Sequence, residues 1–242
     1  MLKVFFSLVI SLSLIGSAWA CPTVEKLQAI FKGLFVGGEV KVLGVNQTPI
    51  KGVCEVVIEI RGQKRLTYVD ETGRYLFIGR LIDILTREDL TQARQAELNR
   101  LSPEQLKKLD PLVAFVEGKG GPVVYLVTDP DCPHCRRAER ILLPLVEEGK
   151  ITVKVILMPL ERLHPHAKKR AVSIICDKKG LKELISGYEG SSCPEGEKKV
   201  AKARNILLSM GIRATPTYIF SDGRFISGVL EAEKILSLAR QK

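Results

Sequence analysis

Beyond residue 20 the chain has no apolar run long enough to span a bilayer, so nothing in its body reads as a membrane segment. It also lacks a basic arm. Lys and Arg number 37 against 27 Asp and Glu, but the two signs are interspersed and no nucleic-acid motif is present. The net charge of +10 therefore reads as a solvated surface, and nucleic acid is not an expected partner. Histidine is scarce, at three. His164 and His166 flank Pro165 without a carboxylate or thiol at ligand spacing, which points to a surface loop; neither a metal nor a cofactor is expected. Tryptophan occurs once, at Trp19, inside a segment expected to be removed.

That segment is the first distinctive thing present. Lys3 supplies a positive start, Val4 to Ile15 an apolar stretch, and Ala18-Trp19-Ala20 a small-x-small cleavage site. Residues 1–20 are expected to be a cleaved signal peptide that delivers the chain to a bacterial periplasm. Cleavage would leave Cys21 first, but Ala18 and Trp19 fit a lipid-attachment motif poorly. Export also changes the meaning of the six cysteines, because paired thiols in an oxidising compartment persist as disulfides.

The body is 45% hydrophobic and 26% charged, the composition of a globular protein with one large or two modest domains. Leu27, Ile30, Phe31 and Leu34 recur at helical spacing over Thr23–Phe35, and Gly37-Gly38 ends that helix. Val40 and Val42 alternate. In Val53–Ile60 the residues Cys54, Val56, Ile58 and Ile60 share one face of a strand. Turns at Arg61-Gly62 and Glu71-Thr72-Gly73 then set off Leu66–Val69 and Arg74–Ile78, giving an antiparallel meander. Residues 21–85 thus form a small helix-plus-sheet domain, which buries little surface alone and gains from association. Residues 86–118 read as a jointed helical linker. Thr86-Arg87-Glu88-Asp89 and Ser102-Pro103-Glu104-Gln105 both resemble capping boxes, Asp110-Pro111 marks a third start, and Leu90, Ala93, Leu98 and Leu101 keep one face. Glu117 to Pro122 reads as a Gly-rich hinge.

Residues 119–242 change pattern. Strand Val123–Thr128 precedes helix Cys132–Val146, in which Pro144 marks a kink, and strand Ile151–Met158 follows. Helical regions cover His166–Ser186 and Lys198–Met210. Strands Thr217–Phe220 and Phe225–Ser227 flank a turn, and a last helix starts at Glu231. This is the element order of a thioredoxin fold.

Cys132-Pro133-His134-Cys135 falls directly between the buried strand and the helix. Cys132 would lie at the helix N-terminus, where unpaired N–H groups and the macrodipole favour the thiolate, the attacking species in disulfide exchange. Cys135, one turn inside, can displace a bound substrate by closing the ring. Pro133 suits the first turn, where its missing N–H costs nothing. His134 adds positive charge or a hydrogen bond, which stabilises the reduced form. Other readings are weaker: a four-thiolate zinc site needs a second Cys-x-x-Cys, and c-type haem attachment needs His where Arg136 stands. Thr215-Pro216 opens the strand Thr217–Phe220, a position for Pro that suggests a special backbone geometry, including a cis bond.

Val127-Thr128-Asp129-Pro130-Asp131-Cys132-Pro133-His134-Cys135, together with Gly211-Ile212-Arg213-Ala214-Thr215-Pro216, resembles the DsbC/DsbG family of periplasmic disulfide isomerases, and the likeness covers essentially the whole mature chain. The resemblance implies an α+β/α/β architecture: a small cystatin-like N-terminal dimerisation domain, a helical linker, and a C-terminal thioredoxin fold with a helical insertion. It implies a V-shaped homodimer with two active sites facing a cleft, Cys132 as nucleophile, Cys135 as resolving thiol, and Thr215-Pro216 as a cis-Pro loop offering backbone groups to substrate. It further implies a structural disulfide between Cys176 and Cys193, contributing roughly 3 kcal/mol in the chain-entropy model. Two features depart from the family. Pro133-His134 is the dipeptide of the oxidase DsbA, where DsbC has Gly-Tyr, and this shifts the expected poise towards oxidation; Thr215 before the Pro is nevertheless the isomerase form. Cys21 and Cys54 have no family counterpart: pairing with each other, bridging two subunits and remaining free are all open.

The expected function is therefore isomerisation or reduction of incorrect disulfides in unfolded or misoxidised exported proteins, sustained by a DsbD-type membrane reductant. A DsbA-like dithiol oxidase is the rival within the same chemistry. A periplasmic chaperone with a merely structural Cys pair is the rival outside it.

Overall fold

A computed structural model describes residues 20–34, 39–60 and 63–241. The expected signal peptide lies outside the described residues except for Ala20, and the helix end expected at Gly37-Gly38 and the turn expected at Arg61-Gly62 also lie outside them. No helix among the described residues is long and apolar enough to cross a membrane. The chain divides after Gly79 into two compact units.

In the N-terminal unit, helix α1 (Val24–Leu34) precedes strands β1 (Val40–Gln47), β2 (Val53–Ile60), β3 (Gln63–Asp70) and β4 (Leu76–Phe77). The strands pair antiparallel in sequence order. Period-two alternation sends Cys54, Val56 and Ile58 inwards, where Leu27 and Phe31, four apart on α1, meet them. The Gln28 amide ties helix to sheet, donating to the Val40 carbonyl at 2.9 Å and accepting from the Val42 amide at 2.7 Å. Cys21 and Cys54 are joined by a disulfide, which anchors the start of this unit to its central strand pair.

The C-terminal unit is built on a five-stranded sheet ordered β5-β7-β6-β8-β9. Helices α2 (Leu90–Leu98) and α3 (Pro103–Lys107), then a 3-10 turn at Asp110–Leu112, lead to strands β5 (Phe115–Glu117) and β6 (Val123–Thr128). Helix α4 (Pro133–Glu147) crosses to β7 (Thr152–Leu157), which pairs parallel with β6. Helices α5 (Ala167–Cys176), α6 (Leu181–Ser186) and α7 (Pro194–Ser209) form the insertion. Strands β8 (Thr217–Ile219) and β9 (Phe225–Ser227) and helix α8 (Ala232–Ala239) complete the thioredoxin-type fold. Alternation again divides the interior. Val124 and Leu126 enter one core with Leu142, Ala171 and Ile235, while Tyr125 and Val127 enter another with Ile156, Ala203 and Leu207.

The segment read as a jointed helical linker is packed into the C-terminal unit. Leu101, Leu109 and Leu112 are buried in the second core, and Phe115–Glu117 is a sheet strand antiparallel to β7. The first cap is Asp89, which accepts from the Gln92 amide at 2.7 Å, and not Thr86. On α2 the buried residue is Ala96, with Leu90, Ala93 and Leu98 only half-buried. The second box is present as read, with Ser102 and Gln105 each accepting from the other's backbone N–H. The glycines after Glu117, read as a hinge, allow close packing. Gly121 has φ +70°, and a Cβ there would strike the Lys150 carbonyl. Helix α7 starts at Pro194, four residues earlier than read, because the Cys193 sulfur accepts from the Gly196 amide at its first turn.

Candidate active site

Strand β6 ends at Thr128, and Asp129-Pro130-Asp131 turns the chain into α4. Cys132 is the N-cap, with extended backbone (φ −73°, ψ 122°), and Pro133 occupies the first helical position. The Cys132 amide donates to the Asp129 carbonyl at 3.1 Å, while its own carbonyl accepts from the Arg136 amide at 3.1 Å. Cys132 and Cys135 are both free thiols and both buried, with 6% and 0% of their surface exposed. Pro133 and His134 between them face solvent.

Thr215-Pro216 faces the pair. The peptide bond is cis, and the Cys132 thiol points at the Thr215 carbonyl, with Sγ to O 3.9 Å. The loop is pinned from both sides. The Gly228 amide donates to the Pro216 carbonyl at 2.9 Å, and the Thr217 hydroxyl lies 2.7 Å from both the Ala214 carbonyl and Ser227 Oγ. Backbone groups of residue 215 are thereby held beside the outer sulfur, where an extended peptide could pair with them.

Beneath the sulfurs lies a buried polar layer. Cys135 Sγ accepts from the Asp129 amide at 3.4 Å. Burial pushes the Cys135 thiol up to about 12, the hydroxyls of Thr215 and Thr128 pull the other way, and negative charge on Cys132 raises it further. The Thr215 hydroxyl is buried and meets no partner of ordinary hydrogen-bond geometry among the described residues. One turn further along α4, the carboxyl of Glu139 is 2% exposed and accepts from the Thr128 hydroxyl at 2.5 Å. Burial pushes this carboxyl up to about 7 against the hydrogen bond from Thr128. Tyr218 on β8 is fully buried near both groups, and desolvation raises its phenol.

Asp129 holds this layer in place. Its carboxylate accepts from the amides of Asp131 at 2.8 Å and Leu160 at 2.7 Å, and lies 2.9 Å from His164 Nδ1. His164 lies in a loop, as read, but its ring is mostly covered and bonded to the loop that carries the cysteines. Asp131 is paired with Arg170 of α5. Sequence reasoning misses Glu139 and Tyr218, takes Asp129 only as part of the family motif, and reads His164 only as a loop residue. The spacing of four between Cys135 and Glu139 was the available signal, since it puts both on one helix face.

The four remaining cysteines are disulfide-bonded. Cys176, ending α5, is bonded to Cys193, the cap of α7, across a separation of 17 residues, so the insertion is closed by a covalent link.

Residues 112–242 match the family described as a thioredoxin-like domain, and residues 19–92 match the disulfide bond isomerase protein N-terminal domain. A probable thiol:disulfide interchange protein DsbC of Bordetella pertussis is 30% identical over 217 residues, covering 88% of this chain and 73% of that protein. The thiol:disulfide interchange protein DsbG of Pseudomonas aeruginosa is 27% identical over 200 residues, covering 76% and 77%. Among solved structures, a disulfide interchange protein from Neisseria gonorrhoeae is 29% identical, with a TM-score of 0.46 over 52% of this chain and 95% of that one. With an isomerase-type N-terminal domain, a thioredoxin-type C-terminal domain and this similarity along most of its length, the chain belongs to the DsbC/DsbG family of thiol:disulfide interchange proteins.

Proposed function

We propose that the chain is an exported disulfide isomerase and reductase acting through Cys132-Pro133-His134-Cys135. Cys132 attacks an incorrect disulfide in a client and forms a mixed disulfide. A second client thiol then reshuffles the bond, or Cys135 closes on Cys132 and releases the client reduced. The observation that carries this reading is the placement of Cys132 Sγ at the cap of α4, 3.9 Å from the Thr215 carbonyl. A peptide paired with residue 215 would present its sulfur to the thiol that caps α4, beside the unpaired N–H groups of that helix's first turn.

Unfolded or misoxidised exported proteins are the clients in this proposal, a DsbD-type membrane protein keeps the pair reduced, and the periplasm is the site of action after removal of residues 1–20. The chain works as a homodimer through its N-terminal domain. Exposed Tyr75, Phe77 and Ile78, at and beside the edge strand β4, support association there. Light scattering of the mature protein tests this, and a monomer at micromolar concentration would contradict it.

Pro133-His134 favours a second reading, a dithiol oxidase. The deciding experiment gives the reduced protein a scrambled multi-disulfide client. Recovery of native pairing supports isomerisation; one-way oxidation of dithiols without reshuffling supports the oxidase. Client handling unchanged by Cys132→Ala would leave only a chaperone.

A further inference from the structure

The turns that border the Cys132 thiol are unbalanced in charge. Their acidic side chains all meet cations. Asp129 lies 2.9 Å from His164 Nδ1, Asp131 is paired with Arg170, Glu161 with Arg204 at 3.2 Å, and Glu231 with Arg137 at 3.3 Å. Arg136 and Arg140 favour the ionised form of buried Glu139 and are counted with it. Two guanidiniums are left over. Arg162 and Arg213 are exposed and meet no carboxylate, hydrogen-bond acceptor or ring among the described residues.

Both stand on backbone tied to the thiol. The turn of residues 160–164 is fastened to Asp129 at each end, by the Leu160 amide donating to the carboxylate at 2.7 Å and by the His164 ring. The turn is closed by the amides of Leu163 and His164, which donate to the Leu160 carbonyl at 2.8 and 2.9 Å. Asp129 accepts on its carbonyl from the Cys132 amide, so the turn that presents Arg162 and exposed Leu163 is anchored on the loop that carries the sulfur. Arg213 lies on the other side, two residues before Thr215, whose carbonyl is 3.9 Å from Cys132 Sγ. We infer that Arg162 and Arg213 form an electropositive rim that selects clients carrying Asp or Glu within a few residues of the cysteine under attack.

The inference rests on the proposed role of Cys132 and adds the class of client that it takes. A peptide paired with residue 215 advances about 3.3 Å per residue, so Arg213 comes opposite client positions about two removed from the reacting cysteine. Acids already paired with cations neither repel an anionic segment nor leave their partners free to hold it. The unpaired guanidiniums do both remaining jobs: they steer the segment in, and each can grip a carboxylate with two parallel N–H donors. Exposed charge pairs stabilise a complex only modestly, and salt screens them, so the preference belongs chiefly to the rate of capture.

The test uses peptides of one length whose single cysteine is joined to thionitrobenzoate, with Glu or Gln at the positions two before and two after it. The Cys132 thiolate attacks the peptide sulfur, the bond to the nitrobenzoate sulfur breaks, and thionitrobenzoate leaves as a coloured thiolate. Rates are divided by those of the same peptides with 2-mercaptoethanol, which removes their intrinsic difference. At low ionic strength the Glu peptide should react about three- to ten-fold faster than the Gln peptide. That ratio should shrink in roughly 0.5 M salt, where the screening length is about 4 Å. It should fall to near one in Arg162→Gln/Arg213→Gln and persist in Arg162→Lys/Arg213→Lys. Lys119→Gln removes an exposed charge beyond the other end of α4, about 20 Å away, and should leave the ratio as it was, which separates a local rim from the net charge of the chain. Equal rates for the two peptides, a ratio that survives loss of both arginines, or one that falls as far in Lys119→Gln overturns this inference alone. Release at the wild-type rate in Cys132→Ala overturns the role of that thiol and this inference with it.

Discussion

Cys132 sits where a helix leaves its first N–H groups unpaired, whereas the sulfur of Cys135, three residues on, is enclosed by the sheet and the Thr215 loop. Brief iodoacetamide treatment of the reduced protein at neutral pH should therefore modify Cys132 and leave Cys135 untouched, as peptide mass mapping would show; equal labelling of both would contradict the geometry. Glu139 gives a second prediction at this scale. Its native carboxyl binds a proton up to about pH 7, whereas the unfolded carboxyl releases it near the ordinary value of 4.5. Between those values the native state holds more protons than the unfolded one, so stability falls as pH rises, and the full cost is present above pH 7. Glu139→Gln should stabilise the protein by about 3 kcal/mol in urea unfolding on the alkaline side, with the gain disappearing below the unfolded value. The cysteines were legible because four residues in sequence carry their own geometry. Glu139 was not, because among Arg136, Arg137 and Arg140 it reads as one more solvated charge, and only the closure of β6 and β8 over it makes it buried.

Caps and covalent ties decide how the short elements survive. Helix α3 has five residues and no buried side chain of its own, so its reciprocal Ser102–Gln105 box contributes much of what holds it. Ser102→Ala should lower the stability of the C-terminal unit by about 1 kcal/mol in denaturant unfolding. Cys193 both bridges to Cys176 and accepts from the first turn of α7, so reduction of that bond releases a loop and unsettles a cap at once. Sequence periodicity located most of the long elements to within a few residues, since α4, β2 and β6 each carry their full pattern. It missed β5, because Phe115-Val116-Glu117 is too short to show alternation and owes its strand to pairing with β7 some forty residues away. The same distance hid the reason for the glycines at 118–121, which lies in the backbone of residues 149–151.

Over the whole molecule the two units have different means of support. The N-terminal unit has a single small core, one helix against one sheet, and a disulfide between Cys21 and Cys54 that closes 33 residues. Breaking that link with Cys21→Ser should destabilise the N-terminal unit by roughly 4 kcal/mol in the chain-entropy model. Hydrogen exchange should show the loss in β1–β3 while protection of β6 and β7 is unchanged; equal loss in both units would contradict a local role. The C-terminal unit instead has cores on both faces of its sheet, and the backbone, carboxylate and neighbours of Asp129 lock the approach to the active helix. Pro133 and His134 stand apart from that scaffolding, with side chains open to water. A lineage can rewrite His134 without renegotiating the fold; under the role proposed for the pair, such an exchange would shift the balance between oxidant and reductant at almost no architectural cost.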